Sequence, residues 1–190
     1  MKTKTKLSLK LLTTTALLIA LEIVLSRFCS INTSGWKIGF SFVPVVVAAV
    51  MYGPTVAAIV YALSDFLGAI LFPIGPYFPG FTVSAALMGF VYGLFLYRRE
   101  EKPENSVTIG DVAPFHGKVS FFAHILPPVL INSLFLGLVV NTAWVSILYS
   151  KKSYFGWFLY RLPEYALIIP VSLLLIPVLI KLSRRIMKLK

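Results

Sequence analysis

Five ionisable side chains sit inside or at the edge of long apolar runs of this sequence: Glu22, Arg27, Asp65, Arg161 and Glu164, with Lys37 just ahead of another run. A carboxylate within an apolar run is costly unless it is paired or faces water, so Glu22 and Asp65 mark contacts. Arginine forks and a lysine suit carboxylates. Acids and an amide such as Asn141 accept from ring N–H groups. Tyr77, Phe78 and Trp144 supply faces for stacking. Together these types fit an amphipathic, anionic, ring-containing solute. They do not fit catalysis: His116 and His124 belong to other parts of the chain, and there is no Ser/His/Asp or metal-ligand spacing and no glycine-rich phosphate loop with lysine. The chain reads as a binding protein with no enzymatic activity, cofactor or metal of its own. A plainer reading stands beside each residue: Arg161 and Glu164, three apart, could pair only with each other, and Arg27 could snorkel from a helix end.

The elements that must carry these residues follow from composition. Of 190 residues, 58% are hydrophobic, and the mean hydropathy of +0.86 is far too high for a soluble domain. At about 20 residues per crossing helix, the length suits six spans and little else. The expectation is an all-α, six-transmembrane-helix bundle forming one membrane domain, with spans at about 11–28, 38–52, 54–72, 80–97, 121–149 and 157–182. The net charge of +11 does not point to nucleic acid, because the basic residues flank apolar runs at the two ends, as cytoplasmic termini facing anionic lipid do. The basic start resembles a secretory signal, but Glu22 breaks the apolar region and Phe28 precedes Cys29 where a small residue would be needed, so the first run is read as retained. Cys29, the single cysteine, excludes an internal disulfide.

Along the chain, Ala16 and Ala20 are one turn apart and with Thr13 make a smooth strip on which another helix can lie. Gly53-Pro54 is a tight turn with Pro54 at a helix start. LFPIGPYFPG, ending at Gly80, cannot continue a helix and must form a shaped loop that carries Tyr77 and Phe78. Gly89 and Gly93 have the spacing that lets two helix axes approach closely. Arg98 to Lys118 is the long polar segment, expected as a cytoplasmic loop, and Pro127-Pro128 implies a kinked start to the fifth run. Counting basic residues in the loops puts both termini in the cytoplasm. The polar and aromatic set then gathers at the opposite, outer side.

Several motifs carry a resemblance: AxxxA at Ala16 and Ala20, SRFCSI at Ser26 to Ile31, KIGFSFVP at Lys37 to Pro44, YGP at Tyr52 to Pro54, LFPIGPYFPGFTVSAALMGFVYGLFLY at Leu71 to Tyr97, NTAWVSILY at Asn141 to Tyr149, and Arg161 with Glu164. By these the chain resembles the substrate-binding S components of energy-coupling factor (ECF) vitamin transporters, and among them the folate S components. The resemblance implies a multi-pass protein of a bacterial plasma membrane. Folate or a reduced folate would bind on the extracellular side, roofed by the loops after helices one and three. It implies a transmembrane T component docking on Ala16 and Ala20, and two ECF ATPases that spend the ATP. Carried over by position, Arg27 would engage the ligand, with Lys37, Phe78, Asn141, Trp144 and Arg161 beside it. On chemistry, Arg27, Arg161 or Lys37 suit the glutamate carboxylates, Asp65 or Glu164 the pterin N–H groups, and Tyr77, Phe78 and Trp144 the ring faces. An S component for another anionic vitamin is the alternative, followed by an ion-coupled carrier.

Overall fold

The apolar runs fold as helices in a computed structural model that describes residues 9–33, 36–97, 124–149 and 152–188. The basic residues before Leu9, the polar segment Arg98 to Lys118 with His116, the first residues of the fifth expected span, and Lys151 lie outside the described residues. The elements are α1 (Leu9–Arg27), β1 (Ser30–Thr33), β2 (Trp36–Gly39), α2 (Phe42–Tyr52), α3 (Pro54–Leu71), α4 (Pro79–Leu96), α5 (Leu126–Leu130), a π-helix (Ile131–Val140), α6 (Asn141–Leu148) and α7 (Tyr154–Lys188). Among the described residues, five helical segments are long and apolar enough to cross a membrane: α1, α3, α4, the continuous stretch Leu126–Leu148, and α7. Their outward faces are rich in large apolar side chains, Leu17, Ile59, Val83, Leu87 and Leu174 among them, as lipid contact requires.

Helix α2 is different. Its 11 residues rise only about 16 Å, short of a hydrocarbon core of about 30 Å. Its Val45, Val46, Ala48 and Ala49 are fully buried, because α1, α3, α4 and α7 all pack on it. Small and β-branched side chains let four neighbours approach one short helix. It starts at Phe42, later than the expected residue 38, because Ile38 and Gly39 belong to a strand.

That strand is the departure from an all-helical chain among the described residues. The segment after α1 is an antiparallel hairpin pairing Ser30 with Gly39, Ile31 with Ile38, Asn32 with Lys37 and Thr33 with Trp36. Ser30 Oγ donates to the Ser26 carbonyl at 2.6 Å, fixing the exit from α1.

Helices α3 and α4 form the closest pair. Gly53 turns the chain into α3 with φ of +86°, a value glycine adopts without strain. A Cβ on Gly89 would come within 2.5 Å of the Ala57 carbonyl oxygen, and one on Gly93 would fall on the Pro54 backbone, so the two glycines let the antiparallel axes meet. In α1, the hydroxyls of Thr13, Thr14 and Thr15 donate to the carbonyls of Leu9, Lys10 and Leu11, which hides three polar groups from lipid. Helix α7 runs for 35 residues with Pro163, Pro170 and Pro177 inside it. At seven-residue spacing the prolines share one stripe, away from the inward stripe of Arg161, Tyr165, Ser172, Ile176 and Ser183.

Candidate functional site

The ends of α1 and α3 nearest the hairpin, the loop at 72–78, the first half of α4, the π-helix with α6, and the early turns of α7 enclose a cavity of about 350 Å³. That lies within the range of small-molecule sites, about 300–1,000 Å³. Of the residues singled out from the sequence, Arg27, Lys37, Asp65, Tyr77, Phe78, Asn141, Arg161 and Glu164 all line it. Trp144 does not. It lies behind Phe78, the ring centroids 5.4 Å apart, and its indole N–H donates to Ser84 Oγ at 3.0 Å. Phe78 also meets Phe81 edge-on at 6.3 Å, so packing on two sides fixes its ring on the cavity wall. Ala16 and Ala20 are elsewhere, exposed on α1 with Thr13.

The three cations are held in different ways. Arg161, buried, donates through Nε to Glu164 Oε2 at 3.3 Å, through one terminal nitrogen to Thr142 Oγ1 at 3.1 Å, and through the other to the Tyr165 hydroxyl at 2.8 Å. Glu164 in turn accepts from the Lys37 backbone N–H at 3.1 Å. Arg161 and Glu164 therefore pair with each other and also reach α6 and the hairpin. Arg27 instead lies across α3: its contact to the Asp65 carbonyl is long, 3.5 Å, and its Nε has no partner among the described residues. The Lys37 ammonium donates to Ser26 Oγ at 2.7 Å. Burial pushes that ammonium below the ordinary lysine value of 10.5. Arg27 pushes it the same way, while Glu22, Asp65 and Glu164 oppose.

Asp65 serves the opposite edge. Its Oδ2 accepts from the Thr82 hydroxyl at 2.8 Å, and Tyr77 then donates to Thr82 Oγ1, 3.1 Å away. The proline-rich loop is thereby fastened to α3 and α4.

The sequence reading left several lining residues unassigned. Glu22 belonged to the polar set expected at the outer side but was given no role towards the ligand; it lines the cavity at 2% exposure, with Oε2 unpartnered among the described residues. Tyr61 and Tyr165 lie one turn from Asp65 and Arg161, so spacing from the charged residues would have found them. Asn132 and Ser133 could not be found that way. They lie in the π-helix, whose i→i+5 bonding widens the turn, so that Asn132, Gly137 and Asn141, five and four apart, come to one face. Asn132 donates to the Met88 carbonyl at 3.1 Å, while its Oδ1 and that of Asn141 have no partner among the described residues. His124 is not part of the lining.

A helical membrane bundle enclosing a polar and aromatic cavity, with three acids and three bases on its wall, is a solute-binding membrane protein. The chain belongs to the ECF-type riboflavin transporter S component family, which matches residues 6–150. It is a transporter component and not an enzyme. It is 38% identical over 161 residues to the folate transporter FolT of Clostridium novyi (strain NT), across 85% of this chain and 82% of that protein. It is 30% identical over 135 residues to the folate transporter FolT of Leuconostoc mesenteroides subsp. mesenteroides, across 70% and 68%. The crystal structure of FolT bound with folic acid superposes with a TM-score of 0.71 at 28% identity, covering 87% of this chain and 88% of that one.

Proposed function

We propose that this chain is the folate-binding S component of an ECF transporter, taking folate or a reduced folate into the cavity from the extracellular side of a bacterial plasma membrane. A transmembrane T component, docking on Ala16 and Ala20, and two ECF ATPases drive uptake, so this subunit needs no cofactor. The chain is one membrane domain in which α2 is the sixth, shortened helix. Both termini are cytoplasmic, in keeping with Lys181, Arg184 and Arg185 near the end of α7 that lies away from the cavity.

The observation that carries the folate reading is the pair Arg27 and Lys37. Arg161 is bound to a carboxylate, whereas Arg27 and Lys37 bond to a carbonyl and a hydroxyl, which leaves two cavity cations for the two carboxylates of a glutamate tail. Phe78, backed by Trp144, offers the ring face, and Asp65, Tyr77, Asn141, Arg161 and Glu164 complete the wall. The folate transporters among the relatives support the same ligand. The family's own description names riboflavin, which carries no carboxylate to meet either cation.

Calorimetric titration of the detergent-solubilised protein with folate, then with riboflavin, tests this directly. Saturable sub-micromolar folate binding, weakened by Arg27→Ala, is expected. Folded protein that binds riboflavin and not folate would overturn it.

A further inference from the structure

The hairpin leaves α1 and crosses to α7. On the α1 side it is held by the chain itself, by Ser30 on the Ser26 carbonyl and by the Lys37 ammonium on Ser26 Oγ. On the α7 side its bond runs from the Lys37 backbone N–H to Glu164 Oε1 at 3.1 Å. Lys37 stands opposite Asn32 in the ladder, and its amide is turned away from β1 to reach that carboxylate.

The acceptor is unusually well fixed. Glu164 is 3% exposed, and its second oxygen is held by Arg161, whose guanidinium is held in turn by Thr142 of α6 and Tyr165 of α7. Both carboxylate oxygens are therefore engaged within the protein. Glu164 has little left with which to read a ligand, and its geometry suits another task.

We propose that Glu164 is a positioning residue that straps the hairpin across the cavity: it acts on the solute through the Lys37 backbone and not by touching it. Its effect on retention rests on the folate reading above. With Glu164 in place, the hairpin is fastened between α1 and α7 with Lys37 and Gly39 on the cavity wall, and a bound solute leaves more slowly while the Lys37 amide is held. A hydrogen bond to a charged acceptor sets the scale of that equilibrium at about 10- to 100-fold.

The test has two readouts on the full chain in detergent. Amide hydrogen exchange across residues 30–39, without folate, should quicken by about 10- to 100-fold in Glu164→Ala and stay closer to wild type in Arg161→Met/Glu164→Gln, whose amide oxygen can accept from Lys37 with no guanidinium facing its NH2 group. Folate dissociation should speed up in Glu164→Ala by a similar factor with the association rate little changed, and Arg161→Met/Glu164→Gln should release more slowly than Arg161→Met/Glu164→Ala. Because Glu164→Ala strands a buried Arg161, the double variant Arg161→Met/Glu164→Ala is measured alongside and should show the same hairpin exchange. Unchanged hairpin exchange in both variants would overturn the proposal. So would an affinity loss carried by association alone, or equal release from Arg161→Met/Glu164→Gln and Arg161→Met/Glu164→Ala, since either makes Glu164 a ligand contact. If the wild type binds no folate yet its hairpin exchange responds to Glu164→Ala, the strap stands and the folate reading falls.

Discussion

The Arg27 side chain lies against the bare backbone of Gly68, where a Cβ would come within 2.9 Å of the guanidinium Nε. A methyl group there leaves α3 intact but lifts the arginine off its seat. Gly68→Ala should therefore lower folate affinity by about tenfold, the scale of one charge-assisted hydrogen bond, with the thermal midpoint little changed. Calorimetry beside a melting curve separates the two effects, and an unchanged affinity would remove Arg27 from the ligand-binding set.

Gly93 should behave in the opposite way. Its added methyl would meet the Pro54 backbone, which cannot rotate aside, so Gly93→Ala forces α3 and α4 apart and should destabilise by about 1–3 kcal/mol. The protein that does fold should bind folate nearly as wild type does, because neither Gly93 nor Pro54 lines the cavity. A lowered melting temperature with conserved affinity is the expected pair of results.

Removing Arg161 leaves Glu164 buried and charged without its partner. Breaking such a pair destabilises by about 3–5 kcal/mol, so Arg161→Ala should lower stability far more than Arg27→Ala does. Adding Glu164→Gln to Arg161→Ala should recover part of the loss. Equal melting temperatures for the two single arginine variants would contradict the bonding described for Arg161.

Lys37 predicts opposite pH trends for stability and binding. The folded state holds this proton less tightly than the unfolded chain, so the ionised lysine is a penalty at neutral pH. As pH rises from its lowered pKa towards 10.5, that penalty is relieved, and the ligand-free protein should gain stability. Folate needs the ammonium, so its affinity should fall over the same window, at lower pH than an ordinary lysine would give. Lys37→Arg should flatten the binding profile, since guanidinium stays charged throughout. Binding titrations and melting curves between neutral pH and that limit measure both trends.

Steric signals were legible in the sequence, and signals set by partners were not. Gly89 and Gly93, the Gly53-Pro54 turn and the proline-rich loop each restrict the backbone by themselves, and the structure shows the backbone they imply. The hairpin escaped because Ser30 to Gly39 is short, polar and turn-rich, with Ile31, Thr33, Trp36 and Ile38 too few to suggest two strands. The π-helix escaped because a search at 3.6 residues per turn does not group Asn132 with Gly137 and Asn141. Most of the candidate site was visible as misplaced charge. Trp144 was expected to stack on the ligand, but a neighbour, Ser84, decides that its indole supports Phe78 from behind. Glu22 was conspicuous for its cost, and its depth in the first span grouped it with the other polar segments, yet nothing in the spacing assigned it a role towards the ligand.

The three prolines of α7 make that helix a directional spring. Each deprives one carbonyl of its usual N–H partner, those of Leu159, Ala166 and Leu173, and the losses recur once per heptad along a single line. Stiffness is therefore uneven around the axis: the helix yields most readily in the plane of that line and resists in others. A long element softened on the side away from the cavity can flex with a thinning or thickening bilayer while the face bearing Arg161 and Glu164 keeps its register.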